Sequence, residues 1–197
     1  DIAFGAGHYL VVWQRGKYGA STADVNGARV STAGKIIDSK PIGISTATDQ
    51  QLSPRVASDG AGFMVVWYDT RNVATTKGDI RGTRVDASGK VLAPNGTMIC
   101  GHKSGQSQPA ITWAGGVYWV VFQDYRYSSW KNPNVDVFGT RVSASGKPLD
   151  GDGVPVSTAA SDQYGPAVVH GKSNSLALWE DKRASITYEI YATRLEP

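Results

Sequence analysis

Three times in this chain an aromatic residue is followed two positions on by aspartate and four positions on by arginine: Trp67-x-Asp69-x-Arg71, Phe122-x-Asp124-x-Arg126 and Trp179-x-Asp181-x-Arg183. Carboxylates are the groups that general acid–base chemistry or cation binding needs. A fourth copy departs from the pattern, with Arg15 at the acid position and Lys17 at the basic one. Repetition favours a structural role, because an active site is seldom present three times. A ring of carboxylates around a cation is the functional alternative. A second acid series, Asp24, Asp79, Asp136 and Glu189, stands five residues before Arg29, Arg84, Arg141 and Arg194. An odd separation on a strand places acid and base on opposite faces, so they do not pair with each other. Asp69, Asp124 and Asp181 are instead expected to be buried or half-buried and to pair with the strand-three arginines of their own repeats.

Other catalytic patterns are missing. His8, His102 and His170 occupy three different repeat positions, and no HExxH, GxSxG, CxxC or P-loop pattern occurs. Asp150-Gly-Asp-Gly153 lacks the remaining acidic ligands of a calcium loop. No carboxylate pair stands out for glycoside hydrolysis, since the repeated acids already have a structural reading. The chain is therefore expected to be no enzyme.

Binding chemistry gathers in one segment. The distance from marker aromatic to strand-three acid is 11, 12, 14 and 10 residues in the four copies, while other segments keep their length in each complete copy. The third and longest segment holds Tyr125, Tyr127 and Trp130, with Asp124, Arg126 and Asn132 able to hydrogen-bond. Flat aromatics beside polar groups suit sugar rings or protein partners. These six residues are the expected ligand-binding set, and Tyr18 and Tyr188 lie in or near the equivalent loops. The competing expectation is that the rings fold back on their own blade edges.

The elements that position these residues repeat. The marker aromatics Trp13, Trp67, Phe122 and Trp179 are 54, 55 and 57 residues apart. Each copy predicts a short inner strand (near 2–4, 55–58, 110–113 and 167–170), then a Gly-rich turn and a strand reaching the aromatic. A third strand of the form Asp/Glu-x-x-Gly/Ala-x-Arg-Val/Leu follows, then an STAGK-like turn and an outer strand. Pro54, Pro109 and Pro166 are expected at the first position of their inner strands, where no ladder donor is needed. Gly27, Gly82 and Gly139 mark close backbone approach. Runs such as Val65-Val66-Trp67 are apolar on both faces, as in strands sandwiched between sheets. The expected fold is all-β: a four-bladed β-propeller with blades near 1–52, 53–107, 108–164 and 165–197, with almost no helix. The last copy stops short of its outer strand, which predicts either a further segment or an edge-mediated contact between copies. Backbone polar groups around the axis leave room for an ion in the central channel held by main-chain atoms. No other cofactor is expected.

The chain has 197 residues, 20 Lys+Arg against 17 Asp+Glu, and one cysteine. Net charge of +3 is too mild and scattered for a nucleic-acid groove. No apolar run is long enough for a membrane span. Cys100 occupies the position of Ser45 and Ser157 and reads as a small residue replacing serine; a reactive or bridging thiol is the alternative.

The pattern W-x-D-x-R … D-[IV]-x-G-T-R-V-x-A-S-G-K resembles propeller repeats of secreted and cell-surface bacterial proteins over nearly the whole chain. Four-bladed architecture is similar to hemopexin-like domains, although their blade motif has no match here. The resemblance implies an extracellular or cell-surface setting and a binding role. The expected function is a non-catalytic recognition module, with a glycan as leading ligand and an extracellular protein as the other. The alternatives are a spacer or docking propeller of a larger secreted protein, and the propeller part of a glycan-processing enzyme.

Overall fold

In the structure, a computed structural model, residues 1–16, 22–129, 134–184 and 187–196 are described. Each repeat folds into one antiparallel meander. The first sheet holds β1 (Ile2–Gly5), β2 (His8–Arg15), β3 (Asp24–Ser31) and β4 (Ile42–Ser45). The second holds β5 (Gln51–Ser58), β6 (Gly62–Asp69), β7 (Asp79–Asp86) and β8 (Thr97–Cys100). The third holds β9 (Gln106–Trp113), β10 (Val117–Asp124), β11 (Asp136–Ser143) and β12 (Val154–Ser157). The fourth holds β13 (Gln163–His170), β14 (Ser175–Asp181) and β15 (Glu189–Leu195). One helical turn, α1 (Val73–Thr76), interrupts the β6–β7 connection.

The sheets pack face to face. Strand β5 lies against β1 and β2, β9 against β5 and β6, and β13 against β9 and β10. This is a propeller-like stack of blades with the first strands on the inner side. The apolar runs of the second strands explain it. Phe63, Val65 and Trp67 face Leu10, Val12, Val25 and Ile44 of the blade before. Met64, Val66 and Ile80 face Tyr118, Val120 and Phe122 of the blade after. Trp119 and Val121 then meet Ala177 and Leu195. Both faces of β6 and β10 are thus buried, and each such side chain contributes about 1.5–3 kcal/mol. No described helix is long and apolar enough to cross a membrane.

The inner strands start earlier than expected, at Gln51, Gln106 and Gln163, and the prolines lie inside them. The residue before each proline has positive φ: Ser53 at 51°, Gln108 at 48° and Gly165 at 57°. The ladder register shifts at the same place. Each proline therefore sits at a β-bulge, the other site in a strand where a missing N–H costs nothing. The outer strands come from the second half of their segments, and the first half forms only isolated bridges, such as Val85 to Val91.

The expected pairing of strand-three arginines with Asp69, Asp124 and Asp181 is corrected. These acids are fully buried or nearly so, but each is held by the arginine two residues on. Asp69 accepts from the backbone N–H and Nε of Arg71 at 3.0 and 2.8 Å. The register explains the change: Met64, not Asp69, lies opposite Arg84. The strand-three arginines reach other acids, Arg29 to Asp38, Arg84 to Asp59 and Arg141 to Asp150. Cys100 is buried at the position of Ser45 and Ser157, but those hydroxyls accept from Arg71 and Arg183 at 3.5 and 3.0 Å, whereas the Cys100 thiol donates to the Asp152 carbonyl at 3.1 Å. Burial pushes that thiol up to about 12, which keeps it unreactive.

Candidate functional site

The Asp-x-Arg pairs turn the chain at the end of the second strand in the second, third and fourth blades. Backbone N–H and guanidinium of residue i+2 both reach back to one carboxylate, so the loop leaves the blade in one direction. In the third blade Arg126 also donates to the Asp152 carbonyl at 2.6 Å and covers the Phe138 ring at 3.9 Å from its centroid. Both Asp124 oxygens are engaged by Arg126. Asp124 and Arg126 thereby hold the root of the loop in place.

Adjacent blades are stitched at the same end. The N–H of Gln106 donates to the Gly78 carbonyl at 3.0 Å, and Gln51 and Gln163 repeat the bond to Ala23 and Val135 at 2.7 Å each. Above the Gln106 stitch a cleft of about 570 Å³ opens between the second and third blades. Tyr68 from the end of β6 and Lys77 from the turn after α1 form one wall. Ser104, Gln106 and Ser107 line the floor, and Tyr125, Ser128 and Ser129 come from the loop after β10.

The lining is ordered by its own bonds. The Ser107 hydroxyl donates to Gln123 Oε1 at 3.1 Å and lies 3.3 Å from the Tyr125 hydroxyl. The Tyr125 N–H donates to the Gly105 carbonyl at 3.2 Å. Gly78 has φ +108°, and a Cβ there would lie 2.3 Å from the Tyr68 ring, so glycine is what lets this ring pack at the wall. Burial raises the Tyr68 phenol above its usual range, with Tyr125 and Asp79 adding to the rise. It therefore stays protonated and can donate a hydrogen bond at neutral pH. The cleft offers two amphipathic rings, several hydroxyls, one amide and one ammonium, a set that recognises polyhydroxylated ligands.

Of the six residues singled out in the sequence, Tyr125 lines this cleft. Tyr127 is 60% exposed, with its ring 6.1 Å from that of Phe138. Trp130 and Asn132, like Tyr18, lie outside the described residues. Tyr188 is exposed beneath the Lys182 ammonium, on another blade. Sequence reasoning missed Tyr68, Lys77, Ser104, Gln106 and Ser107, because the cleft belongs to two blades rather than to one loop. One signal was available: the other three copies carry Gln14, Gln123 and Glu180 where the second carries Tyr68. Among the described residues no group of three or more His, Cys, Asp or Glu is placed to hold a metal.

No protein-family model and no curated protein sequence matches this chain. Solved structures do. The endo-arabinase from Bacteroides thetaiotaomicron superposes with a TM-score of 0.62 at 12% identity, covering 100% of this chain and 74% of that one. A GH43 endo-arabinanase from Bacillus licheniformis gives 0.55 at 16% identity, covering 100% and 72%. An α-L-arabinofuranosidase from Lactobacillus brevis gives 0.60 at 8% identity, covering 98% and 70%. At these identities the likeness is one of fold. The expectation that the chain is no enzyme is nevertheless corrected, because these three structures of the same fold are an endo-arabinase, a GH43 endo-arabinanase and an α-L-arabinofuranosidase.

Proposed function

We propose that this chain is the propeller part of a glycan-processing enzyme, working outside the cytoplasm, and that it holds a saccharide in the cleft between the second and third blades. The lining carries the reading: Tyr68 and Tyr125 offer ring faces to the C–H surface of a sugar, while Ser104, Ser107, Ser128 and Gln106 meet its hydroxyls. The fold shared with arabinanases and an arabinofuranosidase supports it and names arabino-oligosaccharides as the first ligands to try.

The test is calorimetric titration with arabino-, xylo- and gluco-oligosaccharides, with reducing-sugar release followed in the same samples. Losing one ring contact of this size costs about 1–2 kcal/mol at roughly 25 cal/mol per Å². Tyr125→Ala and Tyr68→Ala should therefore each weaken binding about 5- to 30-fold with the fold retained by circular dichroism. A saccharide that binds equally well to both variants would place the site elsewhere. No binding to any of the three series would remove the reading.

A further inference from the structure

The cleft between the second and third blades carries one charge. Of the residues that line it, Lys77 is a cation and none is a carboxylate. The acids close to the lining residues in sequence are sealed: Asp69, Asp79 and Asp124 have no exposed surface. Arg71 holds both oxygens of Asp69, and Arg126 both oxygens of Asp124. Asp79 Oδ2 accepts from the Asn72 amide at 3.1 Å. Among the described residues the Lys77 ammonium pairs with no acid and covers no ring. Every connection from second to third strand contains a lysine: Lys17, Lys77, Lys131 and Lys182. Lys17 and Lys131 lie outside the described residues. Lys182 is engaged on its own blade, 4.6 Å from the Tyr188 ring centroid. Lys77 differs from it in keeping its charge for the cleft.

Lysine is not the residue that the backbone favours at this position. It closes α1 with φ 58° and ψ 18°, and its N–H caps the Val73 carbonyl at 3.1 Å. Glycine or asparagine usually holds such a left-handed position, because a side chain is disfavoured there. A residue kept against that preference points to a role for its side chain. The root of the side chain is set against the third blade. A Cβ built on Gly105 would lie 3.1 Å from the Lys77 Cβ and 3.0 Å from its carbonyl oxygen. Ser104, the residue before that glycine, has a hydroxyl with no hydrogen-bond partner among the described residues; only its N–H is engaged, to His102 Nδ1 at 3.3 Å. An ammonium from the second blade and a hydroxyl from the third thus meet at one rim of the cleft, beside Tyr68 and Tyr125.

We propose that the saccharide held in this cleft carries one uronic acid, whose carboxylate is bound by the Lys77 ammonium and the Ser104 hydroxyl. The inference rests on the saccharide reading of the cleft and narrows it, from glycans in general to an otherwise neutral chain with a single acidic unit. One cation answers one carboxylate. A run of uronic acids would set its further charges against serines and phenol rings, with no second cation in the lining to meet them. Stacking and charge pairing do not compete in such a ligand. The carboxylate of a uronic acid projects from the edge of the sugar ring, so the C–H face can lie on a tyrosine while the carboxylate reaches outward to the rim. Lys77 is exposed, so the pair it forms is screened by salt and selects among ligands more than it adds affinity.

The probe is xylotriose bearing a single glucuronic acid, compared with its methyl ester, which keeps the shape and removes the charge. In calorimetric titration the acid should bind about 3- to 5-fold tighter than the ester at about 20 mM salt, with the ratio shrinking toward unity at about 500 mM. Lys77→Gln should abolish the ratio and Lys77→Arg should retain it. Lys77→Gly should abolish it too, yet melt no lower than the parent chain, because glycine relieves the left-handed position. An acid that binds no tighter than its ester overturns the inference. The saccharide reading would then still stand on any arabino-oligosaccharide whose binding Tyr68→Ala weakens. A preference for the acid that survives Lys77→Gln, with the fold intact by circular dichroism, also overturns the inference, since another group then holds the carboxylate. Absence of binding by the acid, its ester and every neutral series would remove both the inference and the reading beneath it.

Discussion

Asp136 is the residue whose chemistry is most at odds with its surroundings. It has no exposed surface, its Oδ1 accepts from the Asn134 amide at 3.0 Å, and its Oδ2 has no hydrogen-bond partner. Burial pushes its carboxyl up to about 6, against the Asn134 bond, and Asp124 and Asp162 push the same way. The folded state therefore binds this proton more tightly than the unfolded chain, whose aspartates titrate near ~3.9. Its contribution to stability is complete below about pH 4 and is lost as the pH rises through about 6. Asp136→Asn should flatten the fall in urea midpoint between those values and raise the midpoint at pH 7. An unchanged pH profile would show that the carboxylate is relieved in solution. Both Asp124 oxygens accept from Arg126, so Asp124→Asn should cost about 1.5–3 kcal/mol, the range for hydrogen bonds to a charged group, read from the same urea curves. The repeated aspartates were legible in the sequence as buried and structural. Their partners were not, because an arginine two residues on reaches back only through a turn, and strand alternation says nothing about turns.

At the scale of the element, the marker aromatics are packed by the approach to the outer strand. Gly96 has φ +69°, and a Cβ there would stand 2.4 Å from the Trp67 ring. Gly153 holds the same relation to Phe122 at 3.0 Å. Gly96→Ala should therefore displace the tryptophan and destabilise the second blade by about 1–3 kcal/mol, with a changed Trp67 fluorescence as the local readout. Strand number, strand order and repeat length could all be read from constant spacing. The bulges before Pro54 and Pro109 could not, since Ser53 and Gln108 are not the residues that announce a positive φ; Gly165 alone carried that signal. The cleft was legible only in Tyr125. Its other walls come from segments up to about sixty residues apart that meet when two blades dock.

For the whole molecule, stability in a row of blades is close to a sum of blade terms and junction terms. Middle blades have two junctions, and the outer ones have one each among the described residues. Amide hydrogen exchange should therefore be slowest in β6 and β10 and fastest in β1 and β15, with protection differing by at least tenfold. Uniform protection across the four sheets would mean that the row opens as one cooperative body. The cleft lies at the junction of the two middle blades, so its walls should open least often, which suits a site that must keep two rings at a fixed separation.

The sealed thiol of Cys100 gives that same junction a clock. It is the chain's single cysteine, buried in the cluster that joins the second and third blades, and its hydrogen goes to the Asp152 carbonyl that Arg126 also grips. A thiol reagent can reach it only when the seam parts, and it then meets a group free to ionise. The labelling rate at one native cysteine therefore counts seam openings directly, with no engineered probe. A saccharide bridging Tyr68 and Tyr125 would register as a slower tick before any change in the spectrum of the fold.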